Sequence, residues 1–364
     1  MTKIMHLFVL TILLFATACG VDGQETSTPD DAGETGEGEI TELSLMTHDS
    51  FAISEEVLAE FEAANDVRIE LLPAGDAGAA LNQAILAKDE PLADLFFGVD
   101  NTFMGRALAA ELFVPYETPT LSNVPEALQL DDSHRLTPVD YGDVCLNYDK
   151  AYFEENDLAP PTSLRQLTEA PYEGLTVVEN PATSSPGLAF LLATVGQFGT
   201  TGEYDFLDFW ADMRANDVLV TDGWEDAYYG QFSAASDGDR PIVVSYASSP
   251  PAEVLFSDPP VDEPPTASVA EPGTCFRQIE FVGILAGTEQ LELAKAFVDF
   301  MLSVPFQEDI PLNMFVFPAN EQAVLPEVFQ EHARLAQQPV VLDPQLIDEN
   351  REEWIQVWTD TVLR

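Results

Sequence analysis

Basic residues are scarce in this sequence, which has 14 Lys and Arg against 64 Asp and Glu in 364 residues. The formal charge of −50 at neutral pH excludes a protein that binds the nucleic-acid phosphate backbone, because that affinity needs basic patches that release counterions. The hydrophobic fraction is nonetheless 46%, enough apolar surface to offset the entropy of the chain. We therefore expect a folded body of about two domains, with an acidic surface that attracts cations.

Catalytic and metal-binding motifs are also missing. The sequence contains no G-x-S-x-G, P-loop, G-x-G-x-x-G or H-E-x-x-H motif. Its four histidines do not form a metal-binding pattern, and among 64 acidic residues the proximity of two carboxylates says little about acid–base catalysis. We therefore predict a binding protein rather than an enzyme, with no cofactor and no metal centre.

The N-terminus has the pattern of a secretory signal. Residues 1–18 contain the basic Lys3 near their start, then a short apolar run, and they end in small residues directly before Cys19. This order resembles the bacterial lipobox, which implies cleavage before Cys19 and lipidation of its thiol; an ordinary signal with a chance cysteine is the alternative. Residues 19–40 are rich in Gly, Ser, Thr, Pro and acids and are expected to form a flexible tether. We expect a body lipid-anchored on the periplasmic or extracellular face of the cell membrane, since no other run approaches the ~18–20 apolar residues of a span.

Two further cysteines, Cys145 and Cys275, lie in strand-like runs. An even pair in an oxidising compartment favours one disulfide between them. Two free buried thiols are the alternative.

Strand and helix patterns alternate along the body, which predicts an α/β protein with mostly parallel sheets and two lobes around a ligand cleft. The predicted strands are 42–47, 67–72, 94–98, 143–148, 175–179, 217–221, 241–246 and 276–287. The predicted helices are 54–65, 76–88, 100–110, 163–169, 187–198, 204–215, 224–234, 289–303 and 345–363. Segments 141–148 and 274–286 are candidates for strands that cross between lobes, and 257–273 is predicted as a surface loop.

Two polar segments follow predicted strands, where open α/β sheets place ligands. In the first, Asp49 and Ser50 either cap the next helix or contact a ligand, with His48 as a flat stacking surface. In the second, the hydroxyl residues Thr183, Ser184 and Ser185 precede a helix that begins at a proline. That helix start suits a phosphate or another anion, although simple capping by Ser185 explains it too.

Aromatic residues mark two more segments. Trp224 and Tyr228 stand four residues apart and share a helical face, a spacing that is more often found in a core than in a ligand cage. Tyr246 stands at the carboxyl end of a buried strand. Two aromatic segments facing one cleft of an acidic protein would suit a ligand with a permanent positive charge, since each ring contributes about 0.5–2 kcal/mol by cation–π attraction.

In unbroken order over 41–364, these segments resemble the substrate-binding lipoproteins of bacterial thiamine ABC transporters. The pieces that carry the resemblance are HDSFAISEEVLAEFEA, ADLFFGVDN, PVDYGDVCLNYDK, ENPATSSPGLAFLL, DGWEDAYYGQF, VVSYASSP, IPLNMFVFP and REEWIQVWTDTVLR. The resemblance implies a type II periplasmic-binding-protein fold that closes on thiamine or its phosphates and delivers them to a permease driven by an ATPase. We expect a monomer with one lobe from 41–143 plus 279–364 and another from 144–278.

The resemblance also implies roles for individual residues. Trp224 and Tyr246 correspond to aromatic walls around the thiazolium, Asp49 and Ser50 to polar contacts, and 183–185 to a place for a phosphate tail. His48 replaces a tyrosine of the family. A protonated His48 would repel the cationic ligand, so binding is expected to weaken as pH falls through its pKa.

Two other functions stay open from the sequence. Ferric-ion capture on a similar fold would use Tyr228 and Tyr229 as ligands, with His48 or Asp49 as additions. A thiamine-degrading enzyme of similar architecture would use Cys145 as its nucleophile, although no activating base is evident beside it.

Overall fold

The computed structural model describes residues 41–364. The predicted signal, the lipidation site Cys19 and the tether lie outside these residues. Within 41–364, no helix combines the length and apolarity that crossing a membrane requires.

Strands and helices alternate in the described chain. The strands are β1 (Thr41–Thr47), β2 (Val67–Pro73), β3 (Leu95–Asp100), β4 (Phe113–Val114), β5 (Thr137–Asp149), β6 (Thr176–Glu179), β7 (Leu219–Thr221), β8 (Ile242–Tyr246), β9 (Thr266–Val269), β10 (Phe276–Leu285) and β11 (Phe317–Pro318). The helices are α1 (Glu55–Asn65), α2 (Ala77–Leu86), α3 (Met104–Ala109), α4 (Lys150–Glu155), α5 (Ser185–Phe198), α6 (Phe206–Ala215), α7 (Pro250–Phe256), α8 (Leu291–Met301), α9 (Val304–Asn313), α10 (Glu327–His332) and α11 (Pro344–Val362). Two predicted helices differ in type: Leu164–Thr168 is a 3₁₀ helix and Asp226–Gln231 a single π-helical turn. The helix predicted at 100–110 is shorter and spans only Met104–Ala109.

One continuous sheet organises the molecule, in the strand order β2-β1-β3-β10-β5-β8-β6-β7. Parallel pairing, which the alternation predicts, is found at both ends of the sheet: β2-β1-β3 at one end and β8-β6-β7 at the other. The centre is antiparallel, because β5 and β10 run along each other and connect the two ends. β5 contains the segment 141–148 predicted to cross between lobes, and β10 lies within the other such segment, 274–286.

The segment predicted as the surface loop 257–273 contains a strand, β9. The reason lies in the length of β5, which has 13 residues. Its pairing with β10 ends at Val144, which leaves the edge from Leu146 to Asp149 free, and β9 pairs antiparallel with that edge. A prediction from local composition missed this strand because its partner lies more than a hundred residues away.

Two apolar clusters build the core. One packs α1, α8 and α9 against the first end of the sheet, with the rings of Phe61 and Phe297 edge to face at 5.0 Å. The other joins α5, α6 and α11, where Trp210 and Trp358 meet edge to face at 5.5 Å. α11 thus packs on α6, although the sequence assigned 345–363 to the first lobe and 204–215 to the second.

A disulfide joins Cys145 of β5 to Cys275, just before β10, with an S–S distance of 2.07 Å. The two cysteines are 130 residues apart in the sequence. A cross-link that closes so long a loop stabilises the folded state by about 5 kcal/mol in the chain-entropy model. The bond fixes the two central strands to each other where their pairing ends.

Candidate functional site

A cavity of about 290 Å³ opens where several strands end. Its size is near the lower end of the ~300–1,000 Å³ range of small-molecule sites. Seven of the nine side chains predicted to contact a ligand line it: His48, Asp49, Ser50, Ser185, Trp224, Tyr228 and Tyr246. Thr183 and Ser184 are not among the lining residues. The cavity therefore brings together segments that are far apart in the sequence.

Trp224 and Tyr228 form a stacked pair in the cavity wall. Their ring centroids are 5.0 Å apart and the planes are inclined by 26°. Each polar atom is occupied elsewhere: the Trp224 indole N–H donates to the Ser245 hydroxyl at 3.0 Å, and the Tyr228 hydroxyl donates to Glu253. Tyr228 is buried, and its bond to Glu253 fixes the ring against which the indole stacks.

Tyr246 ends β8 and is held from two sides. Its hydroxyl donates to Gln278 Oε1 at 2.8 Å. Its ring lies so close to Gly142 that a Cβ there would come within 2.9 Å of Tyr246 Cδ1. The side chain packs against both major apolar clusters. Glycine at position 142 therefore leaves room for the ring beside β5.

His48 follows β1 and is 9% exposed. Its ring packs against Phe97, and a Cβ at Gly98, where φ is +108°, would come within 2.6 Å of His48 Cδ2. Burial disfavours the imidazolium and lowers the pKa of His48 to about 4. The weakening of binding expected from protonation of His48 stays a prediction, and this pKa places it near pH 4, because the imidazole is neutral above that pH.

Asp49 and Ser50 lie beside the aromatic pair. The Asp49 backbone N–H donates to the Gly75 carbonyl at 3.0 Å, which positions its carboxylate at the cavity. The Ser50 hydroxyl donates to Glu225 Oε1 at 3.2 Å. Neither side chain caps α1, whose N-cap is Ser54.

The three hydroxyl residues before α5 already have partners. The Thr183 hydroxyl donates to the Asp222 carbonyl at 2.6 Å. Ser184 is fully buried and caps the helix by accepting a backbone N–H at 3.4 Å. The Ser185 hydroxyl donates to the Asp100 carboxylate. The cap is thus Ser184 rather than Ser185, and of these three only Ser185 reaches the cavity.

Asp76 occupies the amides at this helix start, and the sequence analysis missed it. Its Oδ1 accepts the Ser185 backbone N–H at 3.0 Å, and its Oδ2 accepts the Trp224 backbone N–H at 3.2 Å. Burial raises the pKa of Asp76 to about 6, against the opposing effect of these hydrogen bonds. The available signal was its position directly after β2, like that of the other polar segments.

A second carboxylate missed from the sequence is Glu280, in the middle of β10. It lines the cavity, and its Oε1 lies 3.4 Å from His48 Nε2. Asp140 of β5 stands directly opposite it in the antiparallel register and is 0% exposed. Burial raises the pKa of Asp140 to about 8. Burial also raises the pKa of Glu280 well above its ordinary value, and the facing Asp140 carboxyl raises it further. The pair therefore retains a proton at neutral pH, and a lone Glu within a strand pattern gave no hint of it.

The charge of the cavity is one-sided. Four carboxyl residues line it, and none of its lining residues, all within 41–364, is Lys or Arg. The four are Asp49, Asp76, Glu225 and Glu280. Aromatic faces beside carboxylates attract a cation and disfavour an anion.

The residues that ferric-ion capture or thiamine degradation would use are not arranged for those functions. The Tyr228 hydroxyl donates to Glu253, and Tyr229 is 50% exposed. Within 41–364, no group of three or more His, Cys, Asp or Glu residues is arranged to hold a metal ion. Cys145 is in a disulfide, so it has no thiol to act as a nucleophile.

Sequence comparison finds a family match and several relatives. The model of the family described as "Bacterial extracellular solute-binding protein" matches residues 90–336. The thiamine-binding periplasmic proteins of Salmonella typhimurium and Escherichia coli are each 29% identical to this chain over 327 residues, covering 88% of this chain and 94% of the relative. The thiamine-binding periplasmic protein of Haemophilus influenzae is 24% identical over the full length of both chains.

Solved structures show the same fold. A periplasmic thiamin binding protein matches with a TM-score of 0.77 at 27% identity, covering 89% of this chain and 96% of its own. The AfuA protein of Actinobacillus pleuropneumoniae, with bound fructose-6-phosphate, matches with a TM-score of 0.75 at 17% identity, covering 89% and 99%. The second likeness bears on the fold alone. The type II periplasmic-binding-protein fold predicted from the sequence is confirmed, as is a role in solute binding rather than catalysis. The chain belongs to the bacterial extracellular solute-binding protein family.

Proposed function

We propose that this protein binds thiamine outside the cytoplasm and delivers it to the permease of an ABC importer, which a cytoplasmic ATPase drives. Relatives with 29% identity over 88% of the chain carry the name thiamine-binding periplasmic protein. Thiamine has a thiazolium ring with a permanent positive charge that no change of pH removes. The ligand class of the relatives therefore agrees with the charge of the cavity.

One observation carries the proposal: an indole, phenol rings and four carboxyl groups line one cavity together, and its lining, all within 41–364, contains no Lys or Arg. Trp224 and Tyr246 are both anchored by hydrogen bonds, so their rings are preorganised before a ligand arrives. A cation near a ring face gains about 0.5–2 kcal/mol, most when water is excluded. Two rings and several carboxylates favour the thiazolium over any neutral ring of similar size.

The two lobes, 41–143 plus 279–364 and 144–278, are proposed to close over the ligand. Hydrogen bonds from Ser50 to Glu225, and to Asp76 from the Ser185 and Trp224 amides, cross between these proposed lobes. Opening must break them. α11 contacts both, because it packs on α6 while its Arg351 lies over the Phe103 ring at 5.2 Å.

We further propose that the chain is cleaved after residue 18, lipidated on Cys19 and tethered through 19–40 as a monomer. The support for cleavage, lipidation and tethering is the sequence of residues 1–40. Replacement of Cys19 with Ser should move the protein from the membrane fraction to the soluble fraction of cells. Persistent membrane association would contradict the anchor.

Calorimetric titration of the mature protein tests the ligand. Thiamine should bind with one site per chain, and its neutral aminopyrimidine alcohol fragment, which lacks the thiazolium, should bind at least about 100-fold more weakly because it forfeits the cation–π and carboxylate attraction. Equal binding of the two, or no heat with thiamine, would overturn the proposal. Addition of Fe(III) serves as the control for the alternative, since tyrosinate ligation would produce a charge-transfer colour.

A further inference from the structure

Two carboxyl groups face each other in the middle of the sheet, where β5 and β10 run side by side. Glu280 of β10 stands directly opposite Asp140 of β5 in the antiparallel register. Side chains of directly opposite residues lie on the same face of a sheet, with Cβ atoms about 4.5–5.5 Å apart. Asp140 is 0% exposed, and within 41–364 neither of its carboxylate oxygens has a hydrogen-bond partner. Two buried carboxylates at this spacing repel each other, so the pair holds a proton.

The groups packed around this pair offer no positive charge. Burial raises the pKa of Glu280 most, and Asp100 of β3 and Asp76, directly after β2, raise it further. His48, after β1, places its Nε2 3.4 Å from Glu280 Oε1, but burial lowers the pKa of the imidazole to about 4 and leaves it neutral. On β8, burial raises the pKa of Tyr246 well above its ordinary value. Within 41–364, no Lys or Arg forms an ion pair with either carboxyl group, so a proton is what balances the pair.

We propose that the Asp140–Glu280 pair is a proton-exchange site, in which the fixed positive charge of bound thiamine displaces the proton that the two carboxyl groups share. This inference rests on the proposed function and concerns what binding releases. Glu280 lines the cavity together with Trp224 and Tyr246, so a cation held by those rings comes near its carboxyl group. One O–H bond breaks, the proton passes through the cavity to water, and the pair keeps the negative charge.

The exchange follows from the charges on the two sides of the cavity wall. An opposite charge nearby favours the ionised form of a carboxyl group. Before thiamine binds, only a proton balances the pair, because His48 is neutral and no Lys or Arg stands among the lining residues, all within 41–364. Bound thiamine supplies a permanent charge in place of that proton. By linkage, a ligand that releases protons binds more tightly as pH rises.

Calorimetric titration of the mature protein with thiamine at about pH 7.5, in several buffers whose ionisation enthalpies differ, counts the protons released. At this pH Asp76, with a pKa of about 6, is ionised and the aminopyrimidine ring of thiamine is neutral, so neither adds to the count. We expect about half a proton to be released per thiamine bound. A heat of binding that is the same in every buffer would overturn the inference and leave the proposed function standing.

Variants of similar size locate the source of the proton. The double variant Asp140→Asn/Glu280→Gln has no carboxyl group at this place and should release less than about a tenth of a proton under the same conditions. Asp140→Asn alone removes the facing acid and thereby lowers the pKa of Glu280, so the pH of greatest proton release should fall by at least about one unit. An unshifted maximum would show that the two carboxyl groups do not share the proton.

Glu179→Gln is the matched control. Glu179 is also buried, its oxygens have no hydrogen-bond partner within 41–364, and burial raises its pKa well above the ordinary value, but it does not line the cavity. This variant should release as many protons as the unaltered protein. Full release by the double variant would place the proton elsewhere and overturn the inference. Failure of thiamine itself to bind the unaltered protein would remove the proposed function, and this inference with it.

Discussion

The aromatic wall and the hydroxyl segment of this cavity invite comparison, since both were predicted as ligand contacts. Trp224 and Tyr246 donate hydrogen bonds to Ser245 and Gln278, and their rings still line the cavity. Hydroxyl groups have no such second function. Once Thr183 and Ser184 are bonded to backbone atoms, they have little left to offer a ligand.

The difference shows why aromatic rings and hydroxyl groups contribute differently to a binding cavity. A ring keeps its attractive face after its N–H or O–H is satisfied, whereas a hydroxyl or an amide N–H is consumed by one internal acceptor. Here the internal acceptor is a carboxylate, Asp76. The Ser185 and Trp224 amides are thereby bonded to a carboxylate of this chain.

The largest expected effect follows from removing the indole. Trp224→Ala should weaken thiamine binding about 100-fold, because it removes both cation–π attraction and a buried wall. Trp224→Phe keeps a ring face and should lose less than about tenfold. Calorimetric dissociation constants decide the matter, and equal losses in the two variants would show that the ring face is not what holds the ligand.

A smaller effect is expected from pH. Asp76 has a pKa of about 6 and Asp140 a pKa of about 8, so these two carboxyl groups gain protons as pH falls from 8 to 5.5. Protonation removes negative charge that attracts the cationic ligand, so thiamine affinity should fall, by about tenfold in all. His48 adds nothing in this range because its pKa is about 4.

The matched variant for this titration is Asp76→Asn, which removes the carboxyl group whose pKa is about 6 and should show a shallower dependence of thiamine affinity on pH. Groups around Asp76 that also titrate or carry charge are Asp49, Glu179, Tyr246 and Glu280. Affinity that stays level between pH 8 and 5.5 would contradict the role assigned to the carboxylates.

The smallest effect on binding is expected at the hydroxyl segment. Thr183→Val and Ser184→Ala should each change thiamine affinity by less than about twofold, because neither side chain lines the cavity. Ser184→Ala should still lower the free energy of unfolding by about 1 kcal/mol, since it removes the cap of α5. Denaturant titration measures that loss of stability. A tenfold drop in thiamine affinity for either variant would contradict the difference proposed between this segment and Trp224.

Much of the fold could be predicted from the sequence because many helices and strands have a local pattern of apolar residues. α11 shows buried Ile347, Trp354, Trp358 and Val362 at helical spacing, as predicted, whereas Ile355 is half-buried. β9 could not be read, since it exists only because distant β5 has a free edge.

The site divides in the same way. Residues next to a helix start or strand end, such as His48 and Trp224, stood out by position. Asp76 shares that position, but its role depends on which backbone amides the fold brings to it. Glu280 lies within a strand, and its role depends on the carboxyl group that faces it. The low pKa of His48 has the same origin in tertiary burial.

A crystal structure of the mature protein with thiamine tests the central claim most directly. The account predicts that the thiazolium lies within about 6 Å of the ring centroids of Trp224 and Tyr246. A thiazolium located away from both rings, or outside the cavity, would contradict it.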